Sequence, residues 1–228
     1  MRTLALLWTA LLLGTAVRAD DSTETAKSTL GAKPPAGAVV LFDGRDLSAW
    51  TTKDGKSPAD WPVQDGILTV GKGKGDVMTK AMLGSYKLHI EFNVPYMPEA
   101  KGQGRGNSGV YQQGRYELQV LDSYGLDLQD NDCGAIYKQV VPKVNACKPP
   151  LQWQTYDVTF HSAVREGDKV TKKARITVVQ NGKTIIDDRE IDPTAGGIDM
   201  EAGKPGPILL QDHGNAVQYR NIWALNLD

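Results

Sequence analysis

The stretch from Tyr86 to Val94 reads YKLHIEFNV, and apolar side chains alternate with polar ones along it. An extended chain turns successive side chains to opposite faces. One face would carry Leu88, Ile90, Phe92 and Val94. The other face would carry His89, Glu91 and Asn93. This alternation predicts a β-strand with one face turned to a core.

The same pattern continues outward along the chain. Residues 154–160 alternate in the same way, and the runs 175–179 and 184–186 flank Asn181-Gly182, the dipeptide most typical of a tight hairpin. Residues 207–210 and 217–227 give two further strands around a polar turn. No window sustains a helical period, so we expect an all-β sandwich of two antiparallel sheets.

Composition agrees with a single turn-rich β domain. Hydrophobic residues make up 40% of the 228 residues, enough for a packed core, and 24 Gly with 12 Pro supply many turns. The net charge of -1 provides no basic surface for nucleic acid. We therefore expect no nucleic-acid partner.

The N-terminus has the pattern of an export signal. A basic start at Arg2 precedes an apolar run over residues 4–16, and small residues stand at the cleavage-determining positions Val17 and Ala19. We predict a signal peptide over 1–19, a flexible polar leader over 20–36 and a β-sandwich domain over 37–228. The mature protein is expected to be periplasmic or secreted, without a membrane anchor.

Cys133 and Cys147 are the only two cysteines of the chain. An oxidising compartment favours joining such an isolated pair, and a metal-binding pair would need closer spacing or a neighbouring histidine. The sequence predicts a disulfide bond between them, with two buried free thiols as the alternative.

Residues 114–122, GRYELQVLD, suggest a polar site on a strand. Glu117 and Gln119 would share one face, opposite Leu118 and Val120. A carboxylate beside an amide suits the recognition of sugar hydroxyls, although an outer face in contact with water would look the same. Two nearby segments add further polar side chains to this region: Arg105, Asn107 and Ser108 upstream, and Tyr137 and Lys138 downstream.

Six blocks of the chain resemble the 3-keto-disaccharide hydrolase domain family. They are FDGRDLSAW (42–50), GNSGVY (106–111), YELQVLD (116–122), CGAIY (133–137), NACKPPLQWQTYD (145–157) and LLQDHGNAVQYRNIW (209–223). The resemblance implies a concanavalin A-like jelly roll and cleavage of glycosides whose sugar carries a ketone at C3. A small oligosaccharide or glycoside would be the substrate, and the protein would act downstream of a sugar C3 dehydrogenase.

A ketone at C3 acidifies the proton at C2, so a base can start an elimination that expels the group at C1 before water adds. Such a site needs a base and donors for the enolate oxygen. Glu117 is the first candidate base and His213 the second, although His213 would equally suit a turn residue that caps backbone groups. The candidates for the oxyanion and the sugar hydroxyls are Arg105, Asn107, Gln119, Lys138 and Gln211.

Two aromatic residues and a metal complete the set of candidates. Tyr137 and Trp153 would form a platform for the sugar ring, although aromatic residues of a sandwich are more often part of the core. A divalent metal near Glu117 and His213 would also stabilise an enolate, but no ligand spacing in the sequence requires one.

Two rival functions remain open. A laminarinase-like retaining glycosidase carries Glu-x-Asp-x-x-Glu on one strand, whereas this chain has Glu117-x-Gln119-x-x-Asp122, in which an amide replaces the middle acid. Such an enzyme needs two carboxyl groups about 5–5.5 Å apart. A non-catalytic, lectin-like carbohydrate-binding module is the second rival, because one fold can serve either purpose.

Overall fold

The computed structural model describes residues 27–227. The predicted signal peptide and the leader up to residue 26 lie outside the described residues. Fifteen strands follow one another in this part of the chain: β1 Val39–Phe42, β2 Trp50–Thr52, β3 Val63–Gln64, β4 Ile67–Thr69, β5 Val77–Thr79, β6 Tyr86–Asn93, β7 Ser108–Gln112, β8 Tyr116–Val120, β9 Gln154–His161, β10 Val164–Glu166, β11 Lys169–Lys172, β12 Ala174–Gln180, β13 Lys183–Ile191, β14 Leu209–Leu210 and β15 Gln218–Asn226. The only helical element within 27–227 is a 3-10 turn at Gly102–Gly104, so no described helix has the length or apolarity to cross a membrane.

Two antiparallel sheets form a sandwich. The larger sheet runs in the order β13-β12-β9-β6-β15-β4-β3, and β1 also pairs with β15. The smaller sheet has the order β2-β5-β14-β7-β8, and β10 and β11 form a separate ribbon. The predicted all-β jelly-roll sandwich is confirmed.

The core lies between the two sheets and uses the apolar face that the alternation predicts. Leu88, Ile90 and Phe92 of β6 are fully buried there, and Val110 and Leu118 meet them from the smaller sheet. The β12–β13 hairpin turns at Asn181 and Gly182, whose φ angles of 51° and 82° are those of the predicted tight turn.

Residues 29–32 lie against part of the outer face of the larger sheet. The Thr29 hydroxyl donates to Asp157 Oδ2 at 2.5 Å, Gly31 N donates to Glu91 Oε1 at 2.6 Å, and Ala32 O accepts a hydrogen bond from Asn221 Nδ2 at 2.9 Å. This part of the predicted leader lies against the sheet. It buries polar side chains of β6 that would otherwise face water.

The predicted disulfide is wrong, because Cys133 and Cys147 are free thiols. Gln180 Nε2 lies 3.6 Å from Cys133 Sγ and 3.5 Å from Cys147 Sγ, and Tyr156 Oη lies 3.1 Å from Cys133 Sγ. The two cysteines do lie next to each other, as the sequence predicts, and their side chains are hydrogen-bonded. Hydrogen bonds to neighbouring side chains, and not a covalent bond, hold the sulfur atoms.

Candidate active site

A cavity of about 130 Å³ opens on the outer face of the smaller sheet. Six of the nine residues predicted for the site line it: Asn107, Glu117, Gln119, Tyr137, Gln211 and His213. The remaining lining residues are Gln103, Tyr111, Ala195 and Gly196. The cavity therefore gathers residues from segments that are far apart in the sequence.

Strands β7 and β8 form the floor of this cavity. Their register places Tyr111 opposite Glu117 and Gly109 opposite Gln119, so these residues share the face that points away from the core. Strand β14 continues this floor, because Leu209 pairs with Tyr111. Gln211, the residue after the end of β14, donates its N–H to Gly109 O at 3.0 Å. Backbone pairing thus brings Tyr111, Glu117, Gln119 and Gln211 together.

Gly109 leaves the space that the two central side chains occupy. A Cβ atom at this position would lie 2.8 Å from Glu117 Oε1 and 3.1 Å from Tyr111 Cε2. Contacts that short would force the carboxylate or the ring to move. The missing side chain at residue 109 therefore allows Glu117 and Tyr111 to lie side by side.

Glu117 is 4% exposed, and its pKa is raised to about 7. Burial is the main cause, because it disfavours the charged carboxylate. A hydrogen bond from the Tyr111 hydroxyl opposes this rise in pKa, and the negative charge of nearby Asp76 adds to it. A carboxyl group with a pKa near neutrality is suited to exchange protons with a substrate.

Tyr111 is 1% exposed and is in contact with polar partners on two sides. Its hydroxyl donates to Glu117 and accepts a hydrogen bond from Gln211 Nε2 at 3.3 Å. Burial and the negative charge of Glu117 raise its pKa, so the hydroxyl keeps its proton. Gly196 closes over this hydroxyl, because a Cβ atom at Gly196 would lie 2.9 Å from Tyr111 Oη.

Three amide oxygens on the cavity wall lack a hydrogen-bond partner within the described chain: Asn107 Oδ1, Gln119 Oε1 and Gln211 Oε1. The amide nitrogens of these side chains are engaged with the protein. Asn107 Nδ2 donates to Gln103 O at 2.7 Å, and Gln119 Nε2 donates to Gln103 Oε1 at 2.9 Å. Since buried acceptors are normally paired, these oxygens are suited to accept hydrogen bonds from the hydroxyl groups of a ligand.

His213 lies at the rim of the cavity in an exposed turn. Asp212 holds this turn: its carboxylate accepts hydrogen bonds from Gly214 N at 2.9 Å and from Gly75 N at 3.0 Å, and its own N–H donates to Asp76 Oδ1 at 2.9 Å. The capping role that the sequence allows for His213 is therefore performed by Asp212. The imidazole of His213 lines the opening.

Tyr137 reaches the cavity because the segment after Cys133 pairs with the free edge of β8. Gly134 N donates to Gln119 O at 3.0 Å, and Tyr137 N donates to Glu117 O at 3.1 Å. Tyr137 thereby lines the same cavity as Glu117.

Three predicted site residues, Arg105, Lys138 and Trp153, lie outside the cavity lining. Each contacts a charged side chain instead. Arg105 Nη2 donates to Asp122 Oδ2 at 2.8 Å, and Lys138 Nζ lies 3.0 Å from Asp130 Oδ1. The guanidinium carbon of Arg220 lies 4.0 Å from the centre of the Trp153 ring. The positive charges of Arg105 and Lys138 are thus paired with the carboxylates of Asp122 and Asp130.

Tyr111 and Gly196 line the cavity but are not among the site residues predicted from the sequence. The alternation that assigns Glu117 to the outer face of β8 would also assign Tyr111 to the outer face of β7, so a signal for Tyr111 exists. Gly196 belongs to a distant loop with no motif of its own. Among residues 27–227 no group of three His, Cys, Asp or Glu side chains is close enough together to hold a metal ion.

Three solved structures are similar to this protein in fold. A proposed glycosyl hydrolase from Parabacteroides distasonis ATCC 8503 shares 39% identity and a TM-score of 0.78 with this protein, over 85% of each chain. Two more proposed glycosyl hydrolases from that organism have the same fold. One shares 20% identity over 84% of this chain and 94% of its own, with a TM-score of 0.62. The other shares 21% identity over 78% of this chain and 99% of its own, with a TM-score of 0.55.

No curated protein matches the chain. Residues 37–225 match the family model described as the 3-keto-alpha-glucoside-1,2-lyase-like domain, which spans most of the 228 residues. The predicted resemblance is confirmed, and the chain belongs to this 3-keto-disaccharide hydrolase family.

Proposed function

We propose that this protein is an exported hydrolase that cleaves the glycosidic bond of 3-keto-glycosides. Glu117 takes the proton from C2, and the electron pair of that bond moves into an enolate. The bond between C1 and the glycosidic oxygen then breaks, the leaving oxygen takes up a proton, and water adds across the new C1–C2 double bond. A sugar C3 dehydrogenase would supply the ketone.

The raised pKa of Glu117 is the observation that carries this proposal. A buried carboxyl group whose pKa is about 7 binds and releases protons near neutral pH. The C2 proton beside a ketone is acidic enough for such a base, whereas the C2 proton of a plain sugar is not. The chemistry of the base therefore favours the keto substrate.

A retaining glycosidase fits the site less well. It needs a second carboxyl group about 5–5.5 Å from the first. Asp122 is bound to Arg105 outside the cavity, and Glu117 is the single carboxylate among the described lining residues. Nearby Asp76 uses one oxygen to accept from Asp212 N and the other to pair with Lys53 at 3.0 Å.

A carbohydrate-binding module is the second candidate function, favoured by the three unpartnered amide oxygens. Acceptors of this kind would bind sugar hydroxyls without any reaction. Binding alone, however, gives no reason for a carboxylate to be buried at a cost in stability beside the bound sugar. We therefore rank the enzyme above the module.

The deciding experiment compares a plain glucoside with its 3-keto form, using mature protein in D₂O and following both products by NMR. We expect cleavage of the keto form alone, with deuterium entering at C2. Cleavage of the plain glucoside would support a retaining glycosidase, and tight binding of both compounds without cleavage would support a binding module. Cleavage of the keto form without deuterium at C2 would retain the substrate and reject the mechanism.

A further inference from the structure

We propose that the Tyr111 hydroxyl is the donor that holds the C3 oxygen of the substrate while the enolate exists. This inference rests on the proposed function, because it assigns a partner to the charge that Glu117 creates. Tyr111 is then a catalytic residue in its own right, since its hydroxyl touches a reacting atom.

Proton abstraction moves one negative charge within the site. Before the step, the charge is on the Glu117 carboxylate and Tyr111 donates its hydrogen bond to that group. When the C2–H bond breaks, its proton goes to Glu117 and its electron pair forms the C2–C3 double bond, so the charge appears on the C3 oxygen. A donor already beside Glu117 can follow the charge from one oxygen to the other without a large movement.

Most other donors in the cavity are already engaged. Asn107 Nδ2 donates to both Gln103 O and Gln103 Oε1, and Gln119 Nε2 donates to Gln103 Oε1 and Asn131 O. Gln211 uses one N–H group on Tyr111. The predicted cations Arg105 and Lys138 are paired with carboxylates outside the cavity lining. The amides of Asn107 and Gln119 thus offer only their oxygens, which repel a developing oxyanion.

Tyr111 is better suited to this role than the remaining donors. His213 is exposed and Tyr137 is half-buried, so water competes with them for the charge, whereas Tyr111 is 1% exposed. A hydrogen bond to an ion is stronger where water is excluded. The bond from Gln211 also polarises the Tyr111 O–H group, because a hydroxyl that accepts a hydrogen bond becomes a better donor.

The surrounding backbone keeps the hydroxyl in position. Tyr111 pairs directly with Glu117 across β7 and β8. Gly109 lies against the ring, and Gly196 covers the hydroxyl so closely that a Cβ atom there would lie 2.9 Å from it. Such preorganisation is the property that makes an oxyanion donor effective.

The test isolates enolate formation from cleavage. The probe is 1,5-anhydro-3-keto-glucitol, a 3-keto sugar without a leaving group, and the measurement is exchange of its C2 proton in D₂O by NMR. We expect wild-type protein to catalyse exchange and Tyr111→Phe to slow it by about 10²–10³-fold, the usual loss for one oxyanion donor. Tyr116→Phe is the matched control, because its hydroxyl belongs to the same hairpin, has no partner within the described chain and does not line the cavity. We expect that control to exchange at the wild-type rate.

The pH dependence separates this role from a merely structural one. Removing the Tyr111 hydrogen bond should raise the pKa of Glu117 further, because that bond lowers it. Exchange is therefore compared well above pH 7, where Glu117 is ionised in both proteins. A plateau rate that equals that of the wild type would overturn the inference and leave the proposed function intact. A wild-type protein that neither exchanges nor cleaves the keto substrates would reject both.

If Tyr111→Phe does not fold, a second variant tests the same inference. Gly196→Ala would press on the hydroxyl from the covering loop and should also slow exchange. Gly167→Ala is its control, because Gly167 has a φ of 61° and a Cβ atom there would meet nothing within 4 Å. Equal exchange rates in these two variants would contradict the inference.

Discussion

The burial of Glu117 carries a cost in stability. Its pKa in the folded protein, about 7, lies above its ordinary value of 4.5 because the group is buried. The folded state therefore binds more protons than the unfolded chain between these two pH values, and stability falls as the pH rises through that interval. Above about pH 7 the full cost applies.

We predict that Glu117→Gln abolishes most turnover of the keto substrate while raising stability. The amide keeps the shape but neither takes a proton nor bears a buried charge. The gain at pH 8 should be about 1–3 kcal/mol and should vanish near pH 4. Urea unfolding at both pH values measures it, with the exposed Glu99→Gln as control. Full turnover in the folded variant would transfer the role of base to another residue, with His213→Ala the next change to make.

The register of the β7–β8 hairpin places the side chains of Tyr111 and Glu117 side by side. The pair depends on a position without a Cβ atom, because Gly109 lies under both Glu117 and Tyr111. Gly104 precedes the same strand, but a Cβ atom there would meet nothing within 4 Å. The two glycines thus differ in what they contact.

We predict that Gly109→Ala lowers turnover by at least tenfold and leaves the fold intact. The added methyl group displaces the carboxylate or the ring, and a displacement of about 1 Å can cost about 10²-fold in rate. Gly104→Ala should keep wild-type turnover. Kinetics and melting temperatures of both variants test this, and equal kinetics for the two would show that the contact with Gly109 does not matter.

Residues 29–32 lie against part of the outer face of the larger sheet, beside a buried charge cluster around Glu91. Glu91 accepts hydrogen bonds from Gly31 N at 2.6 Å, Arg220 Nε at 2.7 Å and Asn221 Nδ2 at 2.9 Å. Burial raises the pKa of Glu91, but His89, Asn221, Arg220 and Gly31 together outweigh burial and hold it at about 2. This cluster links the N-terminal segment to β6 and β15.

We predict that Glu91→Gln destabilises the protein by about 2–4 kcal/mol at pH 7, since it leaves Arg220 without its buried partner. A lowered pKa contributes stability above the unfolded value of about 4.5, and this contribution is lost as the pH falls through about 2. The deficit should therefore shrink between pH 4.5 and pH 2. Urea unfolding across this range measures it. Glu190→Gln, which breaks an exposed pair with Arg175, should cost less than about 1 kcal/mol, and an equal cost for the two variants would contradict the prediction.

The strands and their faces follow from the sequence alone. Alternation is a local property of an extended chain, so the pattern of β6 and the Asn181-Gly182 turn can be read without knowing what lies opposite. The same reasoning correctly assigns Glu117 and Gln119 to one outer face of β8. The resemblance of the six sequence blocks also establishes the family before any coordinates are known.

The burial of each side chain and its hydrogen-bond partners depend on segments that are far apart in the chain. They therefore follow only from the folded structure. Alternation cannot tell that Gly31 donates a hydrogen bond to Glu91, or that Gly196 of a distant loop lies over the Tyr111 hydroxyl. It cannot tell that Arg105 and Lys138 neutralise local acids while the amides turn unpaired oxygens to the cavity. Burial raises the pKa of Glu117 to about 7, and this burial exists only once the two sheets and their covering loops have packed together.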